Sequence, residues 1–340
     1  MTWMIYGANG YTGELVARLA VARGERPVLA GRNAAAVGAL ATSLSLDAKV
    51  VDLANAKALH EALEEVDAVA HCAGPFVWTA KPMVDACLAT GTHYVDVTGE
   101  PDVFEAVLAR DAEAAAAGIT LLTGGGFDVV PTDCLAGLLA AELPDATSLD
   151  IAFRAGGGLS RGTALTGLDM VTGGALRRVD GKLVRGPLGQ PTREVAFPSR
   201  TRTVGAITWG DVVTAYHSTG IENITVFGSV PKAGAAARLL RFAPFRALAA
   251  RTIRRGAPGP SAQVRAATKV EIFAEVRSEH ASRSATLTGP NGYDITADAV
   301  VREIPLLPSA SPGAHTPATA LGPEFVHSLT GVKVTLHPHP

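Results

Sequence analysis

Three glycines spaced three residues apart, Gly7, Gly10 and Gly13, stand in the run YGANGYTG, behind the apolar stretch TWMIY and ahead of the helical pattern ELVARLAVAR. Residues without side chains at this spacing allow a tight turn, a close approach of backbone to a pyrophosphate, and tight packing of the helix on the strand. The free N–H groups and dipole at the helix start then suit an anion. Gly7, Ala8, Asn9, Gly10, Tyr11, Thr12 and Gly13 are therefore the expected phosphate cradle of a dinucleotide site. About twenty residues on, where an acid would take the ribose hydroxyls of NAD, the chain reads LAGRN, with Arg32 and Asn33. A guanidinium matches a phosphate bidentately, so the expected cofactor is NADP(H).

Three further loops carry residues suited to a redox site. Ala73, Gly74, Pro75 and Phe76 form a turn that would lie beside the ribose and nicotinamide, and Thr98, Gly99 and Glu100 form another. Glu100 precedes Pro101 at a helix start, where capping is an alternative role for its carboxylate. The run GGGFDVVPTD brings Gly124 to Gly126, which let backbone approach a ligand, and two acids. Asp128 is placed to face a cleft as an acceptor or general acid, whereas Thr132 or Asp133 suits the cap of the next helix. Tyr216 or His217 is the reserve proton donor. The run ITWGDVVTAYHSTGI reads as a strand, whose alternation turns only one of the two toward a cleft.

Positioning these loops falls to alternating strand and helix patterns. TWMIYG, PVLAGR, AKVVDL, DAVAHCAG, HYVDVTG and ITLLTGGG read as six strands separated by helical runs. That order implies an α/β fold, a doubly wound parallel Rossmann sheet with ligands at the carboxyl ends of its strands. From about residue 148 the pattern becomes a mixed α+β layer. TSLDIAFRAGG, GIENITVFGSV, AATKVEIFAEVRS and ASRSATLTG read as strands and SRGTALTGLDMVTGGAL as a helix that Ser160 caps or that greets an anion. The expected domains are 1–133 for the nucleotide, 134–310 for substrate and dimerisation, and 311–340 as a segment returning to the first domain, with a helix over Thr316 to Thr330 and His315 before it.

Composition removes other classes. With 30 basic and 32 acidic residues the net charge is −2, which offers no field for nucleic acid. The 47% hydrophobic content gives ample apolar surface to bury, and no apolar run reaches the length of a membrane span. The start, MTWMIYGANG, lacks the pattern of a secretory signal, so a cytoplasmic setting is expected. Cys72, Cys87 and Cys134 are too scattered for a metal site. The stretch 232–255 is the exception to the even charge. It holds seven basic residues and no acid beside Leu239, Leu240, Phe242, Phe245 and Leu248, a basic amphipathic pattern suited to a membrane surface, an acidic carrier protein, or plain solvent.

Taken in order, GANGYTG, AGRN, AGPF, MVDACLATGTHYVDVTGE and GGFDVVPTD resemble the saccharopine dehydrogenase-like reductases, especially their trans-acting enoyl reductase branch. GGLSRGTALTGLDMV is similar to the start of that group's substrate domain. The resemblance covers the first 135 or so residues and thins beyond. It implies an NADP(H)-dependent enzyme that transfers hydride to a C=C (enoyl) or C=N (imine) bond of a small or acyl substrate held between its domains; a homodimer is expected separately, from an exposed face of the second domain's sheet. A short-chain reductase is disfavoured because no tyrosine has a lysine four residues on. The rival readings are a nucleotide sensor without catalysis and a membrane-associated scaffold.

Overall fold

The computed structural model describes residues 1–229 and 242–337. Its first 130 residues alternate as the sequence leads one to expect: β1 (Trp3–Tyr6), α1 (Tyr11–Ala22), β2 (Val28–Gly31), α2 (Ala34–Leu44), β3 (Ala48–Val50), α3 (Ala56–Leu63), β4 (Ala68–His71), α4 (Phe76–Thr90), β5 (His93–Asp96), α5 (Pro101–Leu108), α6 (Asp111–Ala117) and β6 (Thr120–Leu122). Strands β1 and β4 are apolar nearly throughout and buried on both faces, as strands of a covered parallel sheet must be. Asn33 and Asn55 open α2 and α3 by accepting from the N–H of Ala36 and Ala58, each meeting one donor that the helix leaves unpaired.

The chain continues through α7 (Val130–Glu142), β7 (Ser148–Ala155), α8 (Arg161–Gly173), β8 (Ala175–Val179), β9 (Lys182–Gly186), β10 (Thr192–Ala196), β11 (Thr201–Ala206), α9 (Asp211–Thr219), β12 (Asn223–Gly228), α10 (Ala243–Arg255), α11 (Ala262–Ala267), β13 (Val270–Arg277) and β14 (Ser282–Gly289). It closes with α12 (Gly292–Glu303), a 3-10 turn over Ile304–Ser309, β15 (Gly313–His315), α13 (Pro317–Leu321), a 3-10 turn over Pro323–Ser328, and β16 (Lys333–His337).

Two units result, Met1–Val130 with Tyr293–Thr330, and Pro131–Gly292 with Gly331–Pro340. The first is built on a seven-stranded parallel sheet of order β15-β6-β5-β4-β1-β2-β3. One face packs Met4, Leu59, Leu63, Met83, Tyr94 and Leu121; the other packs Trp3, Ile5, Val16, Leu29, Val300 and Leu307. Chain order reverses between β1 and β4, so the loops after these strands diverge and leave a crevice at their carboxyl ends. In the second unit β7 lies between β12, parallel to it, and β13, antiparallel, within a nine-stranded mixed sheet.

Four expectations need correction. The domain division falls at residues 130 and 131 instead of 133, and the return begins at Tyr293 instead of 311, because α12 buries Ala297, Val300 and Val301 in the same apolar layer as α1. The last residues do not stay with the first unit, since β16 pairs with β14 from Ser284↔His337 to Thr288↔Lys333. The closing helix is two short pieces, broken at Gly322 and Pro323, with Thr316 and Thr319 forming a capping box at the first. The run around Tyr216 is the helix α9, which buries Asp211 to Ala215 and ends at Gly220 in the left-handed region, φ +73°. Of the basic stretch 232–255, residues 232–241 lie outside the described residues, and the rest is α10.

Candidate functional site at the strand ends of the first unit

Gly7 ends β1 with φ +82°, and a Cβ there would stand 2.8 Å from Ala73 Cβ. A side chain on Gly13 would run into the Gly7 carbonyl, so α1 lies directly against the turn. The turn is tied to the sheet through the N–H groups of Gly7 and Ala8, both donating to the Ala30 carbonyl at 2.8 and 3.1 Å. Gly10 opens α1 with no side-chain cap, which leaves the helix start to a ligand or solvent. Ala8 is buried, while Asn9 is exposed and sends its Oδ1 to 3.0 Å from where a Gly31 Cβ would sit. Tyr11 sets its ring edge-on to Tyr293, centroids 5.0 Å apart, and Thr12 follows in the first turn. This glycine cradle under an uncapped helix fits a pyrophosphate.

Arg32 stands exposed at the end of β2 beside the cradle, where a 2′-phosphate would be met. Asn33 instead gives its side chain to α2, accepting from Ala36 N at 3.1 Å.

The second loop, Ala73 to Phe76, is braced from several sides. Thr79 Oγ1 donates to the Ala73 carbonyl at 2.6 Å. With its proton so directed, that hydroxyl accepts from His71 Nε2, 3.1 Å away. His71 is fully buried among the rings of Tyr6, Phe76 and Tyr94, and burial pushes its pKa down to about 3, so it stays neutral. Glu100, expected at the cofactor, directs both carboxylate oxygens to the start of α4: Oε1 accepts from Phe76 N at 3.1 Å and Oε2 from Val77 N at 2.8 Å. It caps a helix 23 residues earlier in the chain instead of its own, which makes it a positioning residue for the Gly74–Pro75 turn.

Asp96, at the end of β5, ties the remaining loops together. It accepts from Thr98 N (3.0 Å), Gly124 N (2.9 Å), Thr123 Oγ1 (2.9 Å) and Tyr94 Oη (2.9 Å). Thr98 in turn accepts from Glu100 N at 3.1 Å. Between these loops lies Asp128, whose Oδ2 would be 2.6 Å from a Cβ on Gly99; only glycine leaves room for it there. Asp128 is half-buried as a residue, and the protein packed around its carboxyl pushes the pKa up to about 7. Beneath Gly125 sits Glu303, fully buried, with neither carboxyl oxygen hydrogen-bonded to any of the described residues; burial, and then the charge of Asp96, push its pKa far up.

The residues expected at the dinucleotide thus gather at one end of a single sheet, together with Asp128. Asp133 does not join them. It is fully buried in α7 and accepts from Ser218 Oγ at 2.6 Å. Tyr216 belongs to the second unit, where the Arg178 guanidinium lies 3.9 Å over its ring. Arg178 is fixed there by bonds to the carbonyls of Val212 and Gly181, at 2.8 and 2.6 Å. Sequence reasoning misses His71, Thr79, Asp96 and Glu303; an acid ending the apolar strand HYVD is the one signal that points to any of them.

The family described as the saccharopine dehydrogenase NADP binding domain matches residues 3–122. A saccharopine dehydrogenase-like oxidoreductase from Mus musculus is 30% identical over 150 residues, 38% of this chain and 35% of that protein. Relatives from two mycobacterial species carry trans-acting enoyl reductase in their names. One, from Mycobacterium tuberculosis, is 32% identical over 185 residues, 50% of this chain and 44% of that protein. Another, from Mycobacterium leprae, is 32% identical over 138 residues, 38% and 33% of the two chains. The matched stretches thus span less than half the length of these relatives. In fold, the chain is similar to apo saccharopine dehydrogenase (L-Glu forming) from Saccharomyces cerevisiae, with a TM-score of 0.63 at 14% identity, covering 99% of this chain and 100% of the other. Residues 3–122, the stretch that holds the glycine cradle and Arg32, are thus similar to the saccharopine dehydrogenase NADP binding domain.

Proposed function

We propose that the protein is an NADP(H)-dependent reductase of a polarised double bond, the C=C of an enoyl group or the C=N of an imine, in a small or acyl substrate. The observation that supports this most is Asp128, a carboxyl with a pKa of about 7, packed against Gly99 on a loop at the same strand ends as the glycine cradle. An acid poised near the working pH can both give a proton and recover it.

When bound, NADPH supplies a hydride from its nicotinamide. Gly7 to Gly13 would hold the pyrophosphate at the start of α1, and Arg32 would take the 2′-phosphate. The Ala73–Phe76 turn, fixed by Glu100 and Thr79, would hold the nicotinamide end of the cofactor. Asp128 gives its proton to the atom that gains the electron pair of the double bond, the α-carbon of an enoyl group or the nitrogen of an imine. The carboxylate left behind recovers a proton from solvent before the next turnover. Asp128 serves this better than Tyr216, whose ring is covered by Arg178. The names of the mycobacterial relatives favour the enoyl substrate over the imine. The basic stretch 232–255 adds a contact with an acidic partner.

The test is NADPH consumption with α,β-unsaturated thioesters and with cyclic imines. One class is expected to be reduced, with Asp128→Asn lowering turnover about 10²- to 10⁴-fold and leaving NADPH affinity unchanged. NADPH binding without turnover of either class would overturn the reductase reading in favour of a nucleotide sensor.

A further inference from the structure

Helix α10 presents an unusual surface. Arg246, Ala249, Ala250 and Ile253 are half-buried, while the helix packs along α8 and the Arg254 carbonyl accepts from Arg161 Nη1 at 3.3 Å. The other side carries large apolar groups in the open, Phe245 at 43% and Leu248 at 62% exposure, and Phe242, just before the helix, is 60% exposed. At 100° per residue, Phe245 and Leu248 fall on one flank of the helix, with exposed Arg251 and Arg255 beside Leu248. Such a stripe placed in water is unfavourable, and a soluble surface that keeps one marks a contact.

Charge indicates what the contact is. Residues 232–255 hold seven of the chain's thirty basic residues and none of its thirty-two acidic ones, so the remainder carries a net charge of −9. An anionic surface would therefore attract this one stretch and repel the rest of the molecule, which sets an orientation. An acidic carrier protein would satisfy the arginines but would leave Phe245 and Leu248 without an apolar phase. A lipid bilayer supplies both, phosphates for the guanidinium groups and a hydrocarbon boundary for the rings and branched chains.

We propose that α10 is a peripheral membrane contact, seating Phe245 and Leu248 at the headgroup–acyl boundary of an anionic bilayer with Arg251 and Arg255 on lipid phosphates. This rests on reading 232–255 as a contact surface and is independent of the reductase reading. No helix among the described residues is long and apolar enough to cross a membrane, so the contact lies in the interface plane.

Flotation of the full chain with vesicles tests it, using phosphatidylglycerol mixed into phosphatidylcholine against phosphatidylcholine alone. Binding is expected only with the anionic lipid and should weaken as salt shortens the screening length. Two variants separate the contributions, Phe245→Ser with Leu248→Ser, and Arg251→Glu with Arg255→Glu. Each is expected to weaken binding at least about tenfold, with NADPH affinity and thermal midpoint unchanged because all four side chains are solvent-exposed. Failure of the unaltered protein to float, equal flotation of the variants, or capture of purified acyl carrier protein in place of vesicles would each overturn the assignment. None of these results would bear on NADPH turnover.

Discussion

The Glu100 carboxylate takes the backbone N–H groups of both Phe76 and Val77, at 3.1 and 2.8 Å, and so joins the loop after β5 to the helix after β4. A charged acceptor on two donors at a helix start combines the dipole with two strong hydrogen bonds. Glu100→Ala should lower stability by about 1.5–3 kcal/mol and weaken NADPH binding with it. Glu100→Gln keeps one acceptor oxygen and should fall between. Urea unfolding of the three proteins checks the order; an unaffected alanine variant would show that the turn is fixed by other bonds.

As the proposed proton donor, Asp128 is expected to give the activity its pH dependence. A donor must be protonated, and burial places its pKa at about 7. Turnover is therefore expected to be flat on the acid side of that value and to fall with a slope approaching tenfold per pH unit above it. Asp128→Asn should be slow and flat throughout. A rate that instead rises through neutrality would make Asp128 a base and reverse the direction of proton transfer.

Glu303 should make folding sensitive to alkali. Its pKa is raised in the folded protein, so its contribution is fully present below the ordinary glutamate range and is lost as pH rises, because the unfolded chain releases a proton that the folded one retains. Glu303→Gln removes that titration. Between about pH 5 and about pH 9 the urea midpoint of the unaltered protein should decline more than that of the variant. Parallel declines would place the alkaline loss elsewhere.

The sheet of the first unit is legible because parallel strands buried on both faces are plain apolar runs, and because each is followed by a helix of ordinary length. The cradle is legible for a related reason: Gly7 and Gly13 are required by contacts a few residues away, with the turn itself and with α1. Glu100 is not, since its partners are backbone groups 23 and 24 residues back, and an acid before Pro101 reads equally well as a local cap. Helix α9 misleads because Val212, Val213 and Thr214 are β-branched and buried together, which imitates a strand. The strands β8 to β11 are short and partly exposed, with weak alternation. Glu303 is hidden by distance: it reaches Gly125 from the segment that returns after the whole second unit.

The measurement that bears most directly on the central claim is titration of the protein with NADPH and with NADH, followed by nicotinamide fluorescence, beside an Arg32→Glu variant. NADPH is expected to bind the unaltered protein at least about tenfold more tightly, as a charged hydrogen-bond pair contributes about 1.5–3 kcal/mol, and the variant should lose that preference while retaining NADH. Equal affinities in the unaltered protein, or a preference that survives the substitution, would contradict the assignment of Arg32 to the 2′-phosphate; binding of neither nucleotide would contradict the reductase itself.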